Sequence, residues 1–409
     1  MKIWQPKIAK RTRSVEETAP DAISTIQNLK SMKKLLSLLC FISLFTSAQA
    51  AELPTTIETG LWKAGHIQGI AVDNEQKYIY YSFTTLLVKA DMQGNVIGTV
   101  TGLLGHLGCL EFNREDGRLY GSLEYKNDSI GKGILNREGN GRSVEDGFYV
   151  AIFDVEKIDR IGMSAEKDGV MKTVFLPTVL EDYKAFVPTE KGEKTEHRFG
   201  CSGFDGISFG PDFGKCDGKQ YLTITYGIYR DTERSDNDYQ VLLQYDIKNW
   251  SKYEAPISQD NMHRNGPTKP RACYFVYTGN TSWGVQNLEY DSHSGLWIMA
   301  AYKGKKKNFD NFTLFAIDGA KKPTKGLLNG VKYTGKENIL SLAERGLCDS
   351  HDKSIRGWHF AYPTTGLESL GNGLFYVSHR HKSKEGESGT IGMYKFVGSQ
   401  ETAFERIEK

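Results

Sequence analysis

A repeat restricts the possible folds of this chain more than any other feature. Five times, a short apolar strand is followed by a second strand, a polar loop and a third strand closing on Asp or Lys. The second and third strands read KYIYYSFTTLLVKADMQGN, RLYGSLEYK…GFYVAIFDVE, QYLTITYGIYR…YQVLLQYDI, GLWIMAAYKG…FTLFAIDG and GLFYVSHRHK…TIGMYKFVG. One such small sheet cannot bury both of its faces, but copies stacked around an axis can. The expected fold is therefore all-β, a β-propeller formed by residues 51–409 as one domain. Five four-stranded blades fit the count best, with six or seven as alternatives. Hydrophobic residues at 39% and charged residues at 25% are ordinary for a globular core.

The amino terminus reads differently. Residues 32–50 carry Lys33 and Lys34, an apolar run and then Ala48-Gln49-Ala50, the three parts of a secretory signal peptide. The run is shorter than the roughly 20 residues a spanning helix needs, so no membrane anchor is expected. Residues 1–31 read as an upstream or disordered extension. A secreted or periplasmic location follows from this leader, and a monomer is expected. Without residues 1–50 the chain keeps 44 basic and 47 acidic residues, a charge of −3 that gives no reason to expect nucleic-acid binding. Of the five later cysteines, Cys201 and Cys216 bracket a strand and its turn and are the expected disulfide in an oxidising compartment. Cys109 reads as a buried core residue.

The first strands align as pentads: His66-Ile67-Gln68-Gly69-Ile70, His106-Leu107-Gly108-Cys109-Leu110, Gly203-Phe204-Asp205-Gly206-Ile207, Gly284-Val285-Gln286-Asn287-Leu288 and Gly366-Leu367-Glu368-Ser369-Leu370. The first strand of each propeller blade lines the central channel, so the third members should form a ring. Four of the five carry side-chain oxygens: Gln68, Asp205, Gln286 and Glu368. Hard oxygen donors of this kind suit calcium, with hydrogen bonding to channel water and backbone as the alternative role. Glu111 and Glu289 become the competing acids if the register slips by one.

The loops between second and third strands are long and polar in four blades, and they share a face with the entry to the first strands. Residues leaving the second strands there include Glu124, Tyr125, Lys126, Tyr226, Arg230, Tyr302, Lys303, His379 and Arg380, while His66 and His106 open first strands and Arg198 precedes the third blade. His66, His106, Tyr226 and His379 are the candidate proton-transfer groups. Tyr125, Arg198, Arg230, Tyr302, Lys303 and Arg380 are the candidate contacts for an anionic substrate. Any one of these can equally be ordinary edge polarity. The segment 155–200 departs furthest from the repeat and is expected to hold the fourth strand of blade 2 and a short helix near 180–186. Residues 53–62 and 402–407 are the candidates for closing the ring.

The pentads HIQGI, GFDGI and GLESL resemble inner-strand motifs of secreted calcium-centred propeller enzymes, such as phytase-like esterases, sugar lactonases and calcium-dependent apyrases. That resemblance covers short motifs and implies a calcium ion on the axis. The Tyr, His and Arg rim is similar to that of propeller polysaccharide lyases. The leading expectation is an exported lyase or hydrolase acting on an anionic sugar or polysaccharide. A calcium-dependent phosphoester, phosphoanhydride or lactone hydrolase and a non-catalytic ligand-binding propeller are the alternatives.

Overall fold

Five small antiparallel sheets stand around one axis in the computed structural model, which describes residues 52–139, 141–189, 191–215, 218–279 and 281–408. The expected leader at 32–50, the extension before it and Cys216 lie outside the described residues. All the strands belong to one unit, Leu53–Lys409.

Blade 1 is built from Ile67–Val72, Tyr78–Phe83, Leu86–Asp91 and Val96–Thr101, and blade 2 from His106–Asn113, Arg118–Tyr125, Gly147–Phe153 and Met171–Phe175. Blade 3 uses Cys201–Gly210, Tyr221–Ile228, Tyr239–Tyr245 and Ala272–Tyr277. Blade 4 has Val285–Asp291, Leu296–Ala301 and Leu314–Asp318, after which the chain crosses to the outer edge of blade 3. There Glu337–Leu340 pairs in parallel with Ala272–Tyr277, and Thr324–Gly326 pairs with Glu337–Leu340. Blade 5 comprises Leu367–Ser369, Leu374–Lys382 and Glu387–Phe396.

Segments at both ends of this unit close the fifth blade. Thr56–Glu58 and Phe404–Arg406 each add to the outer edge of Glu387–Phe396, with Ile57 opposite Ile391 and Glu405 opposite Lys395. An edge that would otherwise be open is covered, and the first residues of the unit are tied to its last.

Side-chain alternation explains why the ring closes. Adjacent residues of a strand face opposite sides, so Tyr80 packs toward blade 2 with Leu110 and Leu123, and Tyr81 packs toward blade 5 with Ile391. In blade 4, Trp297 turns to the core shared with blade 3, and Ile298 to the core shared with blade 5. Each of the five interblade seams has its own apolar cluster, which is why the second strands are buried on both faces and read as continuous apolar runs. The turns from first to second strand are set locally. Asp291 accepts from the Ser294 amide at 3.0 Å, and its carbonyl takes the Gly295 amide at 2.8 Å, with Gly295 at φ +70°.

Among the described residues, two α-helices depart from the repeat. Pro177–Lys184, here α2, sits close to the position expected from sequence. Ser129–Glu138, here α1, was not expected. It occupies the loop between the second and third strands of blade 2, capped by Asp128, whose carboxylate accepts from the Ile130 and Gly131 amides. Gly131 is required at its start, because a Cβ there would meet the Lys126 carbonyl at 1.7 Å.

Candidate functional site

The channel strands do not run straight. The first four each carry an irregularity near the third or fourth pentad position, opposite Ser82, Ser122, Thr225 and Ala300 of the second strands. A bulge adds one residue and re-aims its neighbours. The strict alternation assumed for the pentads is broken there.

The fifth pentad is also out of register with the others. Leu367, opposite Val377, stands where Ile70, Leu110, Ile207 and Leu288 stand opposite Tyr81, Gly121, Ile224 and Met299. Alignment on Leu370 was three residues off. Thr365, not Glu368, therefore occupies the height of Gln68, and Asn287 Nδ2 donates to the carbonyls of both residues, at 3.3 Å and 2.6 Å. Glu368 belongs to the opposite end of the channel, beside Glu111 and Glu289. The four residues expected as one calcium set thus do not form one.

At the loop end, first strands and loops enclose a cavity of about 380 Å³. Its wall brings together His66, Gln68, His106, Asp205, Gln286, Tyr302 and Arg380 from the sequence expectation, and adds Glu124, Lys126, Trp283, Glu387 and, from α1, Arg137. His106 Nδ1 lies 3.4 Å from Asp205 Oδ1 and 3.8 Å from Glu124 Oε2. Lys126 Nζ is 2.7 Å from Glu124 Oε2 and donates to the Ser202 carbonyl at 2.9 Å. Glu124 Oε1 accepts from the Phe204 amide, so blade 2 is stitched to blade 3 beneath the cavity. Two glycines make room for this: a Cβ on Gly108 would meet Asp205 Oδ1 at 2.8 Å, and one on Gly203 would meet Glu124 Oε1 at 1.9 Å.

The two histidines face opposite electrostatic surroundings. Burial, then the Arg380 guanidinium and His106, push His66 down to about 4. Burial also works against charge on His106, but the Asp205 and Glu124 carboxylates outweigh it and hold this imidazole above its usual range. Glu124 is driven up to about 7 by burial, against the pull of Lys126 and with the help of Asp205. Burial and the Asp205 charge keep the Tyr302 phenol protonated. Arg380 is held by Glu387 through two bonds of 2.7 Å and 2.6 Å.

Of the ligands expected for calcium, the two amides at this wall are bonded to protein groups, while His106, Glu124 and Asp205 each bring a ligand atom within 4.8 Å of the others. Gln286 Nε2 donates to Gln68 Oε1 at 3.0 Å, and Gln68 Nε2 donates to Thr84 Oγ1 at 3.1 Å, so the two amides are spent on protein partners. Lys126 already supplies a positive charge to Glu124.

The remaining expected site residues lie elsewhere. Tyr226 is fully buried between blades 2 and 3 and donates to Asp182 Oδ2 at 2.8 Å, and Tyr125 is buried between blades 1 and 2 and donates to Gln259 Oε1 at 3.0 Å. Both point sideways into a seam rather than up into the mouth. His379 stacks on Tyr362 with centroids 3.9 Å apart and bonds the Tyr394 hydroxyl at 2.8 Å. Arg198 pairs with Asp182 at 2.7 Å. Arg230 lines a separate open cleft with Lys194, His197 and Arg234. Lys303, next to Tyr302 in the chain, is exposed outside the cavity wall. Cys201 is buried in the core, its thiol 3.7 Å from the Gly203 carbonyl.

Sequence reasoning placed Glu124 and Lys126 at this end of the second strand without giving either a role and missed Trp283, and the three are side chains of one site. Trp283 is the most informative of them: its indole is 43% exposed at the cavity rim, and its backbone is held at φ +65°, a region bulky residues avoid. The Trp283-Gly284 pair just before an inner strand was the available signal.

No protein-family model matches the chain, and no curated protein matches it. Among solved structures, the holo form of the pyranose dehydrogenase PQQ domain from Coprinopsis cinerea is similar over 79% of this chain and 81% of that chain, at 10% identity and a TM-score of 0.29. A likeness at this level carries no argument about activity.

Proposed function

We propose that the channel mouth is the active site of an exported enzyme that cleaves an anionic sugar or polysaccharide by acid–base chemistry, with elimination beside a uronate carboxylate as the leading reaction. One observation carries the proposal: His66 and His106, from adjacent blades, open onto a single cavity, the first beside a cation and the second between two carboxylates. Neighbours that drive two titratable groups apart assign one as base and the other as acid. His66, kept neutral, takes the proton from the carbon next to the carboxylate. His106, kept charged by Asp205 and Glu124, gives its proton to the departing glycosidic oxygen as the carbon–oxygen bond breaks. Proton exchange with water then restores both rings. Arg380 and Arg137 face the carboxylate, whose charge grows toward the enolate in the transition state. The exposed Trp283 supplies an apolar face at the rim on which a sugar ring can rest.

The test is a turnover screen on uronate polysaccharides, read by the ultraviolet absorbance of unsaturated products. His66→Asn and His106→Asn are each expected to lower kcat by about 100-fold or more while the circular dichroism and melting temperature stay close to wild type. New reducing ends without that absorbance would move the reaction to hydrolysis at the same residues. Undiminished turnover in both variants would overturn the assignment.

A further inference from the structure

Beside the mouth lies an open cleft of about 900 Å³. Three segments enclose it: the hairpin of Phe186–Pro188 and Lys194–Glu196, which stands outside the blade repeat, the loop after the second strand of blade 3, and the loop after the second strand of blade 4. The last of these joins the two cavities, because Tyr302 lines the mouth and Lys305 lines the cleft. Two rings mark the boundary. Trp283 belongs to the mouth wall and Tyr229 to the cleft wall, and their centroids are 6.4 Å apart. His197 continues the row, 4.6 Å from Tyr229, and Phe186 is 64% exposed on the cleft wall.

The cleft wall is cationic and braced. Lys194, Arg230 and Lys305 line it without an ion pair among the described residues, and Lys303 and Lys307 are exposed in the same loop as Lys305. The acids among the lining residues are Glu196 and Asp231. Arg234 has a different part, with a side chain only 9% exposed. It holds both Asp236 oxygens at 2.8 Å and 2.9 Å and donates to the Glu196 and His197 carbonyls at 2.6 Å each, which ties the hairpin to the blade 3 loop. Lys306, buried, is anchored 2.6 Å from Asp238. His197 and Trp283 are held at φ +66° and +65°, and strain of this kind in non-glycine residues gathers at ligand clamps.

We propose that the cleft is a second subsite of the mouth and binds further units of a uronate polymer whose scissile bond lies between His66 and His106. The position of that bond rests on the acid–base reading of the mouth; the affinity of the cleft for the polymer does not. A polyuronate repeats a carboxylate and an apolar ring face along its length. A chain crossing Trp283 and Tyr229 rests its rings on the aromatic row and brings its carboxylates to Arg230, Lys194 and Lys305. Filling both cavities with one chain makes the second contact intramolecular, so a long chain gains affinity that a short one lacks. Continuity with the mouth selects a sugar polymer over a nucleic-acid strand, which also offers charge and stacking faces.

The experiment is calorimetric titration of polygalacturonate and of digalacturonate into the full chain carrying His66→Asn, so that no bond breaks during the measurement. The polymer should bind at least about 10-fold tighter than the dimer, and the difference should shrink at high salt. Adding Arg230→Gln together with Lys305→Gln should weaken polymer binding by about 10-fold and leave dimer binding as it was. Both side chains are exposed, so the melting temperature should stay close to that of the parent. Lys325→Gln, an exposed charge on the outer edge of blade 3, should change neither affinity. Equal affinities for polymer and dimer would overturn the inference, as would full polymer affinity in the doubly substituted cleft. Tighter binding of single-stranded poly(dT) than of polygalacturonate would overturn the polymer class. Length-dependent binding that needs Arg230 and Lys305, in a protein whose wild type shows no turnover, would support the subsite and remove only the chemistry assigned to the mouth.

Discussion

Replacing Gly203 with Ala tests how the mouth is held in shape. Gly203 has φ +115°, and a Cβ would lie 1.9 Å from Glu124 Oε1 and 2.8 Å from Phe148 Cε1. Two costs add. An alanine forced to positive φ costs about 1–2 kcal/mol, and overpacking a tight site costs about 1–3 kcal/mol. Gly102 separates them, because it also has positive φ, at +81°, but nothing within 4 Å of its would-be Cβ. Urea unfolding followed by tryptophan fluorescence should place Gly102→Ala about 1–2 kcal/mol below wild type and Gly203→Ala about 2–5 kcal/mol below it. The alanine methyl can fit only if Glu124 moves, which pulls its carboxylate from the Phe204 amide and from His106. Gly203→Ala should therefore also lose turnover, while Gly102→Ala keeps it. Stabilities of the two variants within about 0.5 kcal/mol of each other would refute the close-packing argument.

Truncating the closing strand with Ile57→Ala should cost about 2–4 kcal/mol, since this 2% exposed side chain packs into the seam between blades 5 and 1; urea midpoints give the value, and an unchanged midpoint would mean the strand is not part of the closure. His379, held down to about 4 by burial and then by Arg406 and His381, binds a proton more readily unfolded than folded. Its contribution is present above the ordinary value of 6.5 and is lost as pH falls toward 4, so His379→Phe should gain stability relative to wild type over that interval, measured as the difference between their melting curves. A pH-independent difference would contradict it. Trp283→Ala should raise KM about tenfold with little change in kcat, because the indole supports the substrate away from the reacting atoms; the reverse pattern in steady-state kinetics would give it another role.

The sequence carried the architecture well because the second strands are buried on both faces and repeat without interruption, from Tyr78–Phe83 to Leu374–Lys382. It carried the mouth less well. Aligning the pentads on Leu370 put Glu368 beside Asp205, although Ile70, Leu110 and Leu288 stand seven residues before Lys77, Gly117 and Gly295 ahead of the next strand, and the six residues from Leu367 to Gly373 match that step better than the three from Leu370. Bulges opposite Ser82 and Ser122 were hidden, because an extra residue in a short strand leaves no mark on an apolar pattern. Tyr226 and Tyr125 were placed at the rim because strand ends are polar there, yet each phenol finds a buried partner, Asp182 or Gln259, contributed by a distant segment. Helix α1, with glycines at 131 and 133, has weak helix propensity and is held by its Asp128 cap and its position over the mouth. Lys126 and Glu124 pair across one intervening residue at the point where the strand ends, which no periodicity displays.

Nitrogen-15 spectra of histidine-labelled protein, assigned with His66→Asn and His106→Asn, can read the protonation of both rings directly. At pH 6.5, the ordinary midpoint for histidine, the His66 ring should be neutral and the His106 ring predominantly charged. Two rings titrating together near that midpoint would contradict the division of acid and base on which the proposed chemistry stands.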